Sequence, residues 1–129
     1  MEKNLELMAN WWAEQVCKPS LNWNNGDRSE SGGMAFILGN LIANKVREKI
    51  SADTYEKFKK IFVELALNFY ADKGYLPGFC VDYHPSAFLA AVAKHCNISE
   101  DAFPCKSYTV IENNEALACC GDGEQFVIV

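Results

Sequence analysis

The spacing of apolar residues changes soon after Gly74, and this change constrains the fold more than any other feature of the sequence. Before Gly74, large apolar residues recur every three or four positions, which is the period of a helix that buries one face. After it, apolar residues alternate with small or polar ones, which is typical of a half-buried strand. The sequence therefore predicts an α+β fold in which helices precede a sheet.

Three helices are predicted before the period changes. The first spans residues 2–17 and ends before Pro19, and the second spans residues 34–50. The third begins after Ser51, a good N-cap, and ends near Gly74, a good C-cap. Its apolar stripe consists of Tyr55, Phe58, Phe62, Leu65 and Phe69.

The rest of the chain is predicted to follow the order β-α-β-β-β, so that the whole chain, residues 1–129, forms one domain. Pro85 suits the first turn of the helix in this part. The connection through that helix is long enough for a right-handed parallel crossover, which predicts a four-stranded mixed sheet packed by helices. The predicted strands are residues 79–84, 107–112, 115–120 and 125–129.

Two turn signals predict how the last three strands pair. Asn113-Asn114 and Asp122-Gly123 both tolerate the positive φ of two-residue turns. Each turn independently places Leu117 and Cys119 on the same face of the sheet. This agreement supports the predicted pairing of the last three strands. The predicted pairs are Tyr108–Cys119, Val110–Leu117 and Glu112–Glu115 across the first turn, and Cys119–Phe126 and Leu117–Ile128 across the second.

The opposite face of these strands is also apolar, so it needs a cover. Helices, a second chain or a ligand could supply that cover, and the sequence leaves these alternatives open. In a homodimer, this face would form the subunit interface. Its candidate interface residues are Ile111, Cys120, Val127 and Val129.

The charge balance disfavours a nucleic-acid partner. The chain has 12 Lys and Arg and 17 Asp and Glu, which gives a net charge of −5, whereas phosphate binders normally present a basic face.

No apolar stretch approaches the ~20 residues that span a bilayer. The first residues lack the apolar segment of a signal peptide. We therefore expect a soluble cytoplasmic protein with no membrane partner, whose six cysteines are reduced.

No residue spacing in the chain predicts a catalytic or metal-binding cluster. Cys80, Asp82 and His84 alternate along one predicted strand, which places Cys80 about 13 Å from His84. A thiolate–imidazole pair needs about 3 Å. His95-Cys96 and Cys119-Cys120 are adjacent pairs, so they lack the spacing of zinc ligands. The sequence therefore predicts no catalytic residue, no metal and no cofactor.

Two segments are candidates for ligand binding. At the strand–helix junction, Asp82 and His84 are titratable and Ser86 lies where a helix N-terminus attracts anions. Simple capping of that helix is the alternative interpretation. The loop at 22–28 has the composition of a binding loop, although turn formation and a buried tryptophan explain it equally well. Its candidate residues are Trp23, Asn25, Asp27 and Arg28.

Four short motifs in chain order carry a resemblance to a known group of proteins. They are Trp11-Trp12-Ala13, Asn25-Gly26-Asp27, Val81-Asp82-Tyr83 with Pro85, and Phe103-Pro104-x-Lys106. The combination resembles a group of small proteins carried by phages and mobile elements of gut-dwelling Firmicutes. In that group the strand motif continues into a Gly-Pro step, whereas His84 stands there in this chain. The resemblance implies a biological setting but no activity, because the group has none assigned.

We therefore expect a small binding or modulator protein that acts through protein or ligand contacts. The alternative is a small-ligand-binding or hydrolytic enzyme that uses Asp82 and His84, with Asp27 or Arg28 supplied by the loop. The two hypotheses differ in whether Asp27 and Asp82 face a common cleft.

Overall fold

The computed structural model of the protein describes residues 1–19, 39, 41–121 and 123–129. Within these ranges the architecture is α+β, as predicted. Long helices lie before Gly74, and every strand lies after it. The change of apolar period therefore marks the boundary between the helical part and the sheet.

Two helices with defined ends precede the first strand, whereas the sequence predicts three. They are α1 (Glu2–Cys17) and α2 (Ala52–Lys73). Residues 41–47 between them are also helical, but most of the first half of the predicted helix at 34–50 lies outside the described residues.

Both ends of α2 lie where the sequence predicts them, because capping is a local interaction. The Ser51 side chain accepts a hydrogen bond from the Thr54 N–H at 3.2 Å. At the other end, Gly74 adopts a left-handed φ of 82° and its N–H donates to the Tyr70 carbonyl at 2.8 Å. Glycine adopts this conformation without a Cβ penalty.

The sheet is antiparallel throughout, so the predicted mixed sheet is wrong. The four predicted strands are present, and one short strand is added where the chain folds back at Tyr83, with φ of 67°. Along the sheet the order is β2-β1-β3-β4-β5. These strands are β1 (Phe79–Asp82), β2 (His84–Pro85), β3 (Lys106–Glu112), β4 (Glu115–Cys120) and β5 (Phe126–Val127).

β3 is antiparallel to β1 because β3 begins beside the C-terminal end of β1, where the chain leaves that strand. Lys106, the first residue of β3, pairs with Asp82, the last residue of β1. Between them α3 (Ala87–His95) carries the chain away by about 14 Å. Residues 97–105 can span about 30 Å when extended, which is ample for the return. The predicted parallel crossover is therefore wrong.

The predicted register is confirmed in one hairpin and wrong in the other. Across Asn113-Asn114, all three predicted pairs are present. In the second hairpin, Phe126 pairs with Ala118 and Val127 with Leu117, one residue away from the prediction. β4 ends at Cys120 and β5 begins at Phe126, so the connection, in which Gly121 takes a φ of 57°, is longer than the predicted two-residue turn. Because a one-residue shift exchanges the two faces, Val127 leaves the face assigned to it.

The helices cover one face of the sheet, which we call the inner face. Trp12 of α1 is fully buried and its Nε1 donates to the Thr109 hydroxyl of β3 at 2.9 Å. Ala118 of β4 is also fully buried. Most of the buried apolar residues of the described ranges form one continuous cluster. No helix in the described part of the chain is both long and apolar enough to cross a membrane.

Candidate binding groove

α2 extends beyond α1 and leaves apolar side chains uncovered at its end. With 22 residues against 16, α2 is about 33 Å long and α1 about 24 Å. The two helices are antiparallel: the Tyr55 hydroxyl donates to the Glu14 carboxylate, and Glu2 lies beside Leu67. The last turns of α2 therefore extend beyond the N-terminus of α1. Leu65 and Phe69 of these turns are only half-buried.

An apolar groove of about 580 Å³ lies between this end of α2 and the first turns of α3. The segment from Tyr75 to Gly78, which links α2 to β1, forms its third wall. We call it the α2–α3 groove. Its main apolar lining residues are Leu65, Phe69, Tyr75, Leu76, Phe88 and Ala91.

Three packed aromatic rings support the floor of the α2–α3 groove. The Phe88 ring lies edge-on to the rings of Phe62 and Phe79, with both centroid distances at 5.2 Å. The Phe62 and Phe79 rings stack at 5.4 Å. Each aromatic ring has few rotamers and its position is fixed by two neighbours, so the floor is formed before any ligand arrives.

The walls of the groove are also held in place. The Tyr75 ring packs edge-on against Phe69 at 5.7 Å, although Tyr75 is 62% exposed. Ser86 fixes the loop to α3: its hydroxyl donates to the Gly78 carbonyl at 2.8 Å and accepts from the Leu89 N–H at 3.5 Å. One serine thus caps α3 and positions the third wall.

The chemistry of the lining suits binding rather than reaction. Among the described residues that line the groove, Asp72 is the only charged one, and it lies 3.7 Å from Lys73 in an exposed ion pair. Asn68 and Ser86 supply the other polar side chains besides the Tyr75 hydroxyl. A nucleophile with an adjacent base, which covalent catalysis requires, is not part of this lining.

Three buried or half-buried side chains away from the groove have shifted pKa values. Burial lowers the pKa of Arg47 to about 10, and its Nε donates to the Ala102 carbonyl at 2.7 Å. Burial raises the pKa of the Cys17 thiol to about 12 and that of Cys120 to about 11. A raised pKa makes a thiol less reactive, so these cysteines act as small apolar residues.

The predicted junction residues are placed differently from one another. Asp82 and His84 face each other across the turn at Tyr83, because β2 folds back on β1. Both are exposed, and neither lines the α2–α3 groove. Ser86 does line it, and the capping that was the alternative interpretation of this residue is present.

The predicted loop residues Trp23, Asn25, Asp27 and Arg28 lie outside the described residues. A cleft shared by Asp27 and Asp82 therefore stays a prediction.

The four predicted interface residues do not share one face. Ile111 packs against the core from the inner face, and Cys120 is half-buried on that side. Val127 is 43% exposed on the other face of the sheet and Val129 is fully exposed, because the register of β5 differs from the prediction. Helices thus cover the first pair and leave the second pair uncovered.

Apart from Ser86, the groove residues are not among the predicted site residues, because an apolar stripe describes each helix by itself. Phe69 belongs to the predicted stripe of the third helix, and Tyr75 and Leu76 have no predicted role. One signal was present in the sequence: the predicted third helix is longer than the first, so part of its stripe had to lie beyond that helix.

Within the described part of the chain, no group of three or more His, Cys, Asp or Glu side chains is placed to hold a metal ion. No protein family, curated protein or solved structure matches the chain.

Proposed function

We propose that the protein is a non-enzymatic binding protein whose α2–α3 groove receives the apolar side of a helix from a partner protein. The observation that carries this proposal is the preformed apolar groove, with its aromatic floor and its wall fixed by Ser86. Concave apolar sites with a few fixed polar groups are the usual form of a binding site.

The shape of the neighbouring surface favours a helical partner. A second shallow groove, of about 570 Å³, shares Ala87 and Ala91 with the first, so the two are continuous along α3. Ala87, Ala90, Ala91 and Lys94 lie on one side of α3, at the spacing of a helix face. Small side chains there let a second helix approach closely, as in helix-in-groove recognition.

The charge of the protein favours a partner helix with a basic flank. Its net charge is −5, and Asp72 is the charged residue of the groove lining. Complementary charge increases the association rate and disfavours acidic partners. We therefore expect the preferred ligand to be an amphipathic helix with an apolar side and lysine or arginine beside it.

The test is a selection of helical peptides from a random display library, followed by titration of purified peptide. We expect Phe69→Ala and Tyr75→Ala to weaken binding about tenfold or more, since buried aromatic anchors dominate interface energies. Tyr70→Ala is the matched control, because Tyr70 is an exposed tyrosine of α2 that does not line the groove. Equal binding by all three variants, measured well below their thermal midpoints, would contradict the proposal.

The alternative function is a small-ligand-binding or hydrolytic enzyme at the strand–helix junction. Its support is the position of Asp82 opposite His84 across the β1–β2 turn. The test is a panel of ester, amide and phosphate substrates with the wild type and with Asp82→Asn and His84→Ala. Turnover that either substitution abolishes would favour this alternative over the binding protein.

The cytoplasmic location and the phage or mobile-element setting stay predictions.

A further inference from the structure

The two edges of the sheet differ in how they are protected against pairing with another strand. Both edge strands are two residues long, but β2 ends in Pro85, which has no N–H to donate. At the other edge lies the segment Gln125–Val129, which contains no Lys, Glu, Asp or Pro. Natural sheets usually protect an edge with such residues; this segment has none, and no strand of the described residues pairs with the outer side of β5.

The backbone of Gln125–Val129 alternates between its neighbour β4 and the free edge. Ile128 donates its N–H to the Ala116 carbonyl at 2.8 Å, and Phe126 pairs with Ala118. Because successive residues of a strand direct their backbone groups to opposite sides, the N–H and C=O of Val127 point to the free edge.

We propose that this edge is the interface of a homodimer in which the Gln125–Val129 segments of two copies pair antiparallel about a two-fold axis at Val127. Val127 then lies opposite Val127 of the second copy, and the two residues exchange both main-chain hydrogen bonds. Phe126 lies opposite Ile128 of the second copy, and Gln125 lies opposite its Val129. A continuous antiparallel sheet joins the two subunits.

An edge without charged side chains is a place where two copies of this acidic protein can meet. The protein carries a net charge of −5, so most surfaces of two copies repel each other. The side chains of the paired segments are uncharged, so this register places no like-charged side chains opposite each other. The remaining repulsion is long-range and is screened by salt. The dimer is therefore expected to strengthen as ionic strength rises, whereas an interface of surface ion pairs weakens.

Apolar side chains on both faces of the sheet continue across the proposed axis. On the face away from the helices, Val110, Leu117 and Val127 form one cross-strand row. On the inner face, Phe126 is 45% exposed and packs against the half-buried Trp11 at 6.4 Å. Pairing covers both groups, although the contact is small compared with the ~1,600 Å² of a stable complex. A weak, concentration-dependent dimer is therefore expected.

Analytical ultracentrifugation of the full chain, up to about 200 µM and at low and high salt, tests the proposal. The wild type is expected to dimerise with rising concentration and more strongly at high salt. A protein that stays monomeric over this range at both salt concentrations would overturn it. Tryptophan emission, to which Trp11 beside the interface contributes, gives a second readout of the same equilibrium.

A charge exchange at Val127 tests the two-fold axis itself. Val127→Lys and Val127→Glu each place like charges opposite each other, so each is expected to weaken dimerisation about tenfold. An equimolar mixture of the two variants is expected to recover it, because the lysine of one copy then faces the glutamate of the other. Failure of the mixture to recover would overturn the proposal, and it is the result expected if the edge pairs with a different protein.

Two controls separate this interface from other causes. Val127→Thr keeps the backbone N–H and the β-branched shape, so it is expected to dimerise within about threefold of the wild type. Val127 is 43% exposed, so thermal midpoints of all variants should stay close to that of the wild type. Phe69→Ala is expected to leave dimerisation unchanged, so failure of the groove proposal and failure of this one are distinguishable.

Discussion

The two halves of α2 carry the same apolar pattern but have different surroundings. In the first half, Phe58 and Phe62 are fully buried beneath α1 and against the sheet. In the second half, Leu65 and Phe69 follow at the same spacing but are half-buried beside the groove. The difference comes from the length of the covering helix. A helical stripe therefore predicts which side of a helix is apolar, but not how far along the helix that side is covered.

The largest expected loss of stability distinguishes the two halves of α2. Phe62→Ala removes the ring that contacts both Phe79 and Phe88, and it is expected to lower the free energy of unfolding by about 3–5 kcal/mol. Phe69→Ala removes a half-exposed ring and is expected to cost about 1 kcal/mol. Urea denaturation followed by circular dichroism measures both. Similar losses in the two variants would contradict the comparison.

The next effect tests how the covering helix is attached to the sheet. Thr109→Val leaves the buried Trp12 indole N–H without its acceptor, which is expected to cost about 1–3 kcal/mol. Trp12→Phe leaves the Thr109 hydroxyl without its donor and also reduces packing. The double variant is expected to cost less than the sum of the two single losses, as measured by chemical denaturation. Strict additivity would show that this hydrogen bond does not link α1 to β3.

A smaller effect is expected at the uncovered end of α2. Gly74 has a φ of 82°, and a Cβ added there would meet no atom within 4 Å. Gly74→Ala therefore costs only the strain of the left-handed conformation, about 1–2 kcal/mol. Gly74→Asn should cost less, because asparagine tolerates this region. Thermal unfolding distinguishes the two; an equal loss would mean that side-chain contact rather than backbone conformation sets the cost.

The features that could be predicted from sequence are those set by neighbouring residues. Ser51 and Gly74 define the ends of α2 through contacts a few residues away. Asn113 and Asn114 both take positive φ, 50° and 62°, so the first hairpin follows from its turn. In the second hairpin, Gly121 takes the left-handed conformation, and the sequence pattern cannot choose between Gly121 and Gly123 for that role.

The features that could not be predicted depend on distant contacts or on rare conformations. A tyrosine at φ 67° has no sequence signature, so the reversal at Tyr83, the short strand β2 and the meeting of Asp82 with His84 were not foreseen. The groove depends on where α1 stops relative to α2 and on how Ser86 holds the loop before β1. Both are properties of the assembled fold.

The smallest effect is expected at the covered end of α2, where Tyr55 links the two long helices. Its hydroxyl donates to the Glu14 carboxylate, and the Lys18 and Lys59 ammonium groups lie over its ring at 4.6 and 4.9 Å. That hydrogen bond, together with one from Lys18, lowers the pKa of Glu14. Burial, followed by the same hydrogen bond, raises the pKa of Tyr55.

These shifts define the pH range in which the link stabilises the fold. A carboxyl with a lowered folded pKa contributes stability above its unfolded pKa, and that stability is lost as pH falls through the folded value. A phenol with a raised folded pKa contributes stability below about pH 10, and that stability is lost as pH rises further.

Tyr55→Phe is therefore expected to lower the free energy of unfolding by about 0.5–1 kcal/mol at neutral pH, since the Tyr55–Glu14 pair is partly exposed. The difference in thermal midpoint from the wild type should shrink at about pH 3 and above about pH 10. A difference that stays constant with pH would assign the loss to packing of the Tyr55 ring rather than to the ionised Glu14.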